Sequence, residues 1–274
     1  MATFLFWNLN RKPLQSLIAT LAVQHQIDVL IFAECVIKPE VLLQSLCEAG
    51  SQYYYLPSRV CEKIEMFTRF PSDAFEIIID VKRLIIQHIK VPKAKNILLA
   101  ATHFPSKLHW DDASQALECV DVANRITKAE EQVGHSRTIL VGDLNMNPFE
   151  DGLISAKALH AVMSRAIAEK GSRIVQGERY PFFYNPMWNF FGDVSPGPPG
   201  TYHYSKSTLK TFFWNMFDQV LIRPPLLDSF SHDQLQILTT VGNISLLTKR
   251  GIPNSKLVSD HLPLLFTIDL ECAT

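Results

Sequence analysis

Short apolar runs bounded by turn formers punctuate the first half of the chain. Residues 3–7 (TFLFW) and 28–33 (DVLIFA) read as buried strands, and between them Leu14, Leu17, Ile18 and Leu21 recur at helical spacing after Pro13. Pro39 opens a second helix (PEVLLQSLCEAG) that Gly50 stops. Strands are then predicted around 53–56, 64–68, 74–80, 83–91 and 96–102, separated by turn sequences such as FPSD. A long helix is predicted over 111–132, with Asp111 or Asp112 as its cap, followed by a buried strand at 138–142 (TILVG). Strands in series, flanked by strand–helix units, predict an α/β chain with two sheets packed face to face and helices outside.

Composition narrows this picture only slightly. At 274 residues and 47% apolar, the chain is long enough for one large α/β domain and needs no second. A formal charge of −1 creates no global field toward nucleic acid or anionic membrane, so any phosphate site must be local. Cysteines at 35, 47, 61, 119 and 272 form no CxxC pair and leave one unmatched, which suits free thiols and a cytoplasmic location. MATFLFWNLNRKP has no basic residue before its apolar run and makes a poor signal peptide. No apolar stretch reaches the roughly 18 residues of a membrane helix.

The chemistry lies where the strands end. Asn8 and Asn10 close the first strand (WNLN), Glu34 the next (LIFAEC), His103 another (LLAATH), and Asp143 with Asn145 the strand TILVGDLN. Asp218 opens FDQVLI, and Asp260 with His261 opens SDHLPLLF, an ionisable pair at the mouth of a run apolar enough to be buried. A single Asp at a strand end is ordinarily a turn or cap former. Six clusters of carboxylates, amides and imidazoles, all at strand ends, point instead to side chains aimed into one cleft.

In order and wording these clusters resemble the endonuclease/exonuclease/phosphatase superfamily, the deoxyribonuclease-I-like metal-dependent phosphoesterases. The matching words are Trp7-Asn8, Glu34, Thr102-His103, Gly142-Asp143-Leu144-Asn145, Asp218 and Ser259-Asp260-His261, spread over residues 3 to 268. The resemblance implies a four-layer α/β/β/α sandwich of two mixed, mainly antiparallel sheets in a single domain over 1–274. It implies Mg²⁺ or Mn²⁺ held by Glu34 with Asn8, Asn10 and Asp260, hard oxygen donors of the kind such ions prefer. It further implies that Asp143 activates the attacking water, that Asn145 holds it or a phosphate oxygen, and that His261, oriented by Asp218, stabilises the phosphoryl charge. His103 is then a phosphate ligand or leaving-group acid, partnered by Glu62 or, as second choice, Glu65. Asn10 stands where many nucleases of the superfamily carry Asp. His103 replaces the Tyr of abasic-site endonucleases, and GDLNMNP and NMFDQVL lack the marks of inositol-polyphosphate phosphatases.

A last feature is an aromatic-rich loop insert around 172–215. Thirteen of the chain's 28 aromatic residues lie between Tyr180 and Phe217. They read either as a loop and strands packing on the core or as a substrate platform, in which Trp188 and Tyr202 stack on bases while Lys206 or Lys210 meets phosphates. The motif SPGPPG (195–200) predicts an exposed turn at its centre. After His103, Lys107 and His109 are either phosphate contacts or solvated groups. The sequence therefore predicts a metal-dependent phosphodiesterase acting on nucleic acid, with a phosphatase or phospholipase-type enzyme on a small ester or lipid head group as the alternative. A non-catalytic binding module on the same scaffold fits least, because Glu34, Asp143, Asn145, Asp218, Asp260 and His261 are all present.

Overall fold

The computed structural model describes residues 1–271 except 93, 109 and 208, so His109 and Cys272 lie outside the described residues. Strand β1 (Ala2–Asn8) leads through helix α1 (Gln15–Gln24) to β2 (Val29–Ala33). Helix α2 (Pro39–Glu48) starts on its proline, and Gly50 turns the chain away with φ +84°. Strands β3 (Tyr54–Leu56), β4 (Ile64–Thr68), β5 (Phe75–Val81), β6 (Leu84–Ile89) and β7 (Ile97–His103) follow without a long helix between them. Helix α3 (Asp112–Val133) is capped by the Asp111 side chain, which accepts from the Ser114 N–H, and stops at Gly134 in the left-handed region. Strand β8 (Thr138–Asp143) succeeds it.

Two large sheets result. One has six strands and places Leu264–Ile268 and β1 beside β2, β4 and β3; the other has seven, running β5, β6, β7, β8, Asp218–Ile222, then two short edge strands. Pairings are mostly antiparallel, with β1/β2, β7/β8 and the short pair Ala161–Val162/Phe183–Tyr184 parallel. Along β1 the residues alternate between two cores: Phe4 and Phe6 face the other sheet's Leu99, Ala101, Ile139 and Val220, whereas Leu5 and Trp7 face Ile18 and Leu21 of α1 and Leu42 and Leu46 of α2. On the second sheet Ile86, Leu98 and Leu140 pack under Cys119, Val122 and Ile126 of α3. The layers are therefore helix, sheet, sheet, helix, and the strands are apolar on both faces because both are covered.

The expected insert is not all loop. Its first part is a hairpin, Ser172–Val175 with Glu178–Pro181, and Phe183–Tyr184 joins the seven-stranded sheet beside Asp218–Ile222. The SPGPPG turn is exposed at Pro196 and Gly197, but Gly200 is buried. A Cβ there would lie 2.6 Å from the Asn215 carbonyl, so only glycine permits that approach.

Candidate active site

Register brings the polar strand ends together. His103 pairs with Asp143 across β7/β8, and Asp218 pairs with Asp143 on its other side. Asn8 ends β1 next to Ala33, so Glu34 stands one residue beyond the same edge. The strand Leu264–Ile268 runs antiparallel to β1, so Asp260 and His261 approach that edge from the opposite direction.

Asp143 is the centre of the cluster. Its Oδ2 accepts from Asn8 Nδ2 at 2.9 Å and lies 3.6 Å from His103 Nε2 and 3.9 Å from His261 Nε2. Its Oδ1 accepts from the Asn145 N–H at 2.9 Å, and Asn145 Nδ2 donates to the Phe104 carbonyl. His261 Nδ1 lies 2.7 Å from Asp218 Oδ2. Burial works against charge on His261, but Asp218 first and then Asp143 overcome it and push its pKa up to about 10. The Asp218–His261 pair shares one proton across this short bond, with burial raising Asp218 and the two carboxylates raising His261.

Glu34 completes the cleft. Its Oε1 is 3.8 Å from His103 Nε2, and its Oε2 is 3.6 Å from Arg11 Nε. Asn10, Arg11, Glu34 and Asn145 all adopt left-handed backbone, with φ of 46°, 56°, 48° and 49°. Strain of this kind persists where surrounding structure fixes it, and here it is concentrated at the cleft.

The motif words also have structural reasons. Trp7 Nε1 donates to the His261 carbonyl, and Ser259 Oγ donates to the Asn8 carbonyl while accepting from the His261 N–H, so WN and SDH are stitched to each other. A Cβ at Gly142 would lie 2.0 Å from the Thr102 carbonyl, so the close passage of β7 and β8 before Asp143 requires glycine.

Several expected residues sit elsewhere. Glu62 is exposed in the turn before β4, because the preceding loop is fastened to Asp80 on β5: Ser58 Oγ and the N–H groups of Arg59, Val60 and Cys61 all donate to that carboxylate. Glu65 accepts from Tyr55 OH instead, and His103 Nδ1 is buried without a hydrogen-bond partner among the described residues. The His103–Glu62 pairing is thus not formed. Lys107 is held by Asp112 and Glu150, and these acids outweigh its burial and raise its pKa, so it is not free to meet a phosphate. Trp188 packs with Phe149 and Phe191 rather than against the Asp143 cluster residues, and Lys206 is exposed with its Nζ 5.9 Å from the Tyr204 ring. Tyr202 is at the cleft, its ring 4.8 Å from that of His261 and 5.2 Å from Phe217.

Sequence reading missed Arg11 and Thr201. Thr201 Oγ1 accepts from the Asp218 N–H and its carbonyl from the Leu262 N–H, bracing the dyad from the end of the insert. Only the adjacency of Gly200, Thr201 and Tyr202 signalled it.

Asp143, Asp218 and His261 offer ligand atoms within 4.8 Å of one another. Both His261 nitrogens face carboxylates, Nδ1 at 2.7 Å from Asp218 and Nε2 at 3.9 Å from Asp143. Beside this cluster Glu34 offers further hard oxygen donors, and Asn8 Oδ1 accepts from the Asn10 N–H at 3.0 Å. The half-buried Glu34 carboxylate has for counter-charge an Arg11 whose side chain is 75% exposed.

No protein-family model and no curated protein matches the chain. Solved structures do. The endonuclease domain of TRAS1, a telomere-specific non-LTR retrotransposon, is 16% identical, with 99% of each chain covered and a TM-score of 0.56. An endonuclease/exonuclease/phosphatase family protein from Leptotrichia buccalis is 14% identical, covering 98% of this chain and 99% of that one at a TM-score of 0.57. ANGEL2, a 2',3'-cyclic phosphatase, is 15% identical, covering 99% and 95% at 0.59. The chain has the fold of the endonuclease/exonuclease/phosphatase proteins.

Proposed function

We propose that this protein is a divalent-metal-dependent phosphodiesterase and that nucleic acid is its substrate. The observation that carries the reading is the convergence of Asn8, His103 and the Asp218–His261 pair on one buried carboxylate, Asp143, beside the half-buried Glu34. A phosphodiester repels nucleophiles and has a poor leaving group, so a site must supply positive charge, an oriented water and a leaving-group donor.

Glu34 and Asp260, with Asn8 and Asn10, would hold Mg²⁺ or Mn²⁺, which when bound supplies Lewis-acid stabilisation of phosphoryl charge. Asp143, fixed by its donors, accepts the proton of the attacking water, and Asn145 holds that water or a phosphate oxygen. His261, kept cationic by Asp218 and Asp143, presents Nε2–H to the phosphoryl oxygens. His103 Nε2 stands on the same side as a phosphate donor or leaving-group acid. Tyr202 lies against His261 where a substrate group flanking the phosphate would pass.

ANGEL2's description as a cyclic phosphatase and the near-neutral charge keep the small-ester reading as the second choice. Four free thiols, Cys35, Cys47, Cys61 and Cys119, support a reducing compartment such as the cytoplasm, and no described helix is long and apolar enough to cross a membrane.

The test is cleavage of end-labelled single- and double-stranded DNA and RNA in Mg²⁺ or Mn²⁺ against EDTA. Asp143→Ala is expected to lower turnover by about 10² to 10⁴-fold with unchanged circular dichroism. Cutting that survives EDTA or the substitution removes the assignment; silence on every polymer, with hydrolysis of small esters, transfers it to the second reading.

A further inference from the structure

We propose that the paired segments Tyr202–Tyr204 and Phe212–Asn215, with Phe149, Trp188 and Phe191, form a stacking wall for the unpaired bases of a polynucleotide. The proposal rests on the phosphodiesterase reading and narrows its substrate to single strands.

The hairpin is rooted in the cleft at both ends. Tyr202 pairs with Asn215 and His203 with Trp214, and the Tyr204 N–H donates to the Phe213 carbonyl. One root bridges to His261 through the Tyr202 backbone. The other is fastened to the loop that leaves Asp143: Asn147 Nδ2 donates to Asn215 Oδ1 at 3.0 Å, and Asn147 Oδ1 accepts from the Met216 N–H. That loop carries Phe149 outward. Its ring meets Phe212 edge-on at 5.2 Å, Phe191 at 6.1 Å and Trp188 at 6.2 Å, and Trp188 and Phe191 are 5.8 Å apart.

These rings are not buried as a core would bury them. Phe149, Trp188 and Phe191 are half-buried, while Phe212 is 49% exposed and Phe213 54%. Trp188 Nε1 is buried without an acceptor among the described residues. Cations lie beside the rings: Lys210 Nζ is 5.6 Å from the Phe212 centroid and Lys206 Nζ 5.9 Å from that of Tyr204. Exposed aromatic faces match the π-faces of unpaired bases.

Charge selects the unpaired form. Duplex affinity is gained mainly by neutralising many phosphates, and a chain of net charge −1 has no overall positive field to supply it. Stacking needs exposed base faces, which a single strand offers and a duplex hides between its own base pairs.

The test uses full-length Asp143→Asn protein in Mg²⁺, so that binding is read without cleavage. Fluorescence anisotropy compares labelled oligothymidine, an abasic oligomer of equal length and charge, and a duplex. The base-bearing single strand is expected to bind about five- to hundredfold more tightly than the abasic strand, the range set by one base on one ring. Phe212→Ala, at a half-exposed position, should erase most of that preference, and Phe212→Trp should keep it. Equal affinity for the two single strands, a preference untouched by Phe212→Ala, or a duplex bound as tightly would overturn the wall. If protein with Asp143 intact cleaves no phosphodiester, the phosphodiesterase reading fails on its own ground; if cleavage is normal and the base preference is missing, only the wall fails.

Discussion

The two ends of strand β7 each gather histidines, and the two gatherings behave oppositely. At the cleft end, beside His103, His261 is pushed up to about 10 in spite of its burial. At the other end His88, which pairs with Leu98 near the start of β7, lies with its Nε2 3.3 Å from that of His135. Both are pushed down, His135 to about 4, by burial first and then by neighbours that include the Arg137 cation. Burial is common to the two ends, so it does not decide the sign. The partners do. Asp218 and Asp143 are buried carboxylates aimed at His261, whereas Glu76, 3.8 Å from His88, is 54% exposed and already engaged by Lys90. The Arg137 N–H donates to His135 Nδ1, which leaves the proton of neutral His135 on Nε2, directed at His88. One end therefore favours a cation held between carboxylates, and the other favours two neutral rings packed together.

The strongest way to break this contrast is to make the cleft histidine resemble the distant one. Asp218→Asn keeps the shape but removes the counter-charge and offers His261 an amide in place of a carboxylate. Turnover is expected to fall by about 10² to 10⁴-fold with little change in substrate affinity, measured as single-turnover rate against substrate concentration. A rate near wild type would mean that the charge on His261 is not used.

How legible these two ends were in the sequence differs for a physical reason. Strands β1 to β8 were readable because each is an apolar run between turn formers, and they lie within about two residues of where the pattern places them; helices α1 to α3 were readable from helical spacing, a proline or an Asp cap. The cleft residues were readable because they interrupt those runs at one end. What joins them was not. Arg11 beside Glu34, Thr201 beside Asp218 and the His88–His135 contact depend on register between distant segments, which local pattern does not encode. The Glu62 expectation failed for the same reason, since Asp80 on β5 decides where that turn goes. Phe183 and Tyr184 were hidden in the aromatic run, where a core strand and a surface loop have the same composition.

A smaller effect is expected on the metal side. Glu34→Gln should raise the Mg²⁺ or Mn²⁺ concentration for half-maximal rate by about tenfold or more, since even outer partners of metal ligands are worth about 10- to 100-fold in affinity. Electron paramagnetic resonance of free Mn²⁺ in titrations reads the same loss without turnover. An unchanged binding curve would remove Glu34 from the ligand set and leave Asp260 as the only charged candidate proposed for it.

The smallest effect belongs to the distant pair and is visible only in stability. A histidine whose native pKa is depressed takes up its proton in the unfolded chain near pH 6.5 but in the native protein only near about 4 for His135. Between those values the unfolded state binds more protons, so the pair costs stability as pH falls through that window and costs nothing above it. His135→Asn keeps an acceptor for the Arg137 N–H and removes the titration. Urea unfolding at about pH 7.5 and about pH 5 should show the variant losing less stability on acidification than wild type, by on the order of 1 kcal/mol after solvent screening of the half-exposed ring. A difference between the two proteins that is the same at both pH values would show that His135 does not titrate in this window, and the contrast between the two ends of β7 would then rest on His261 alone.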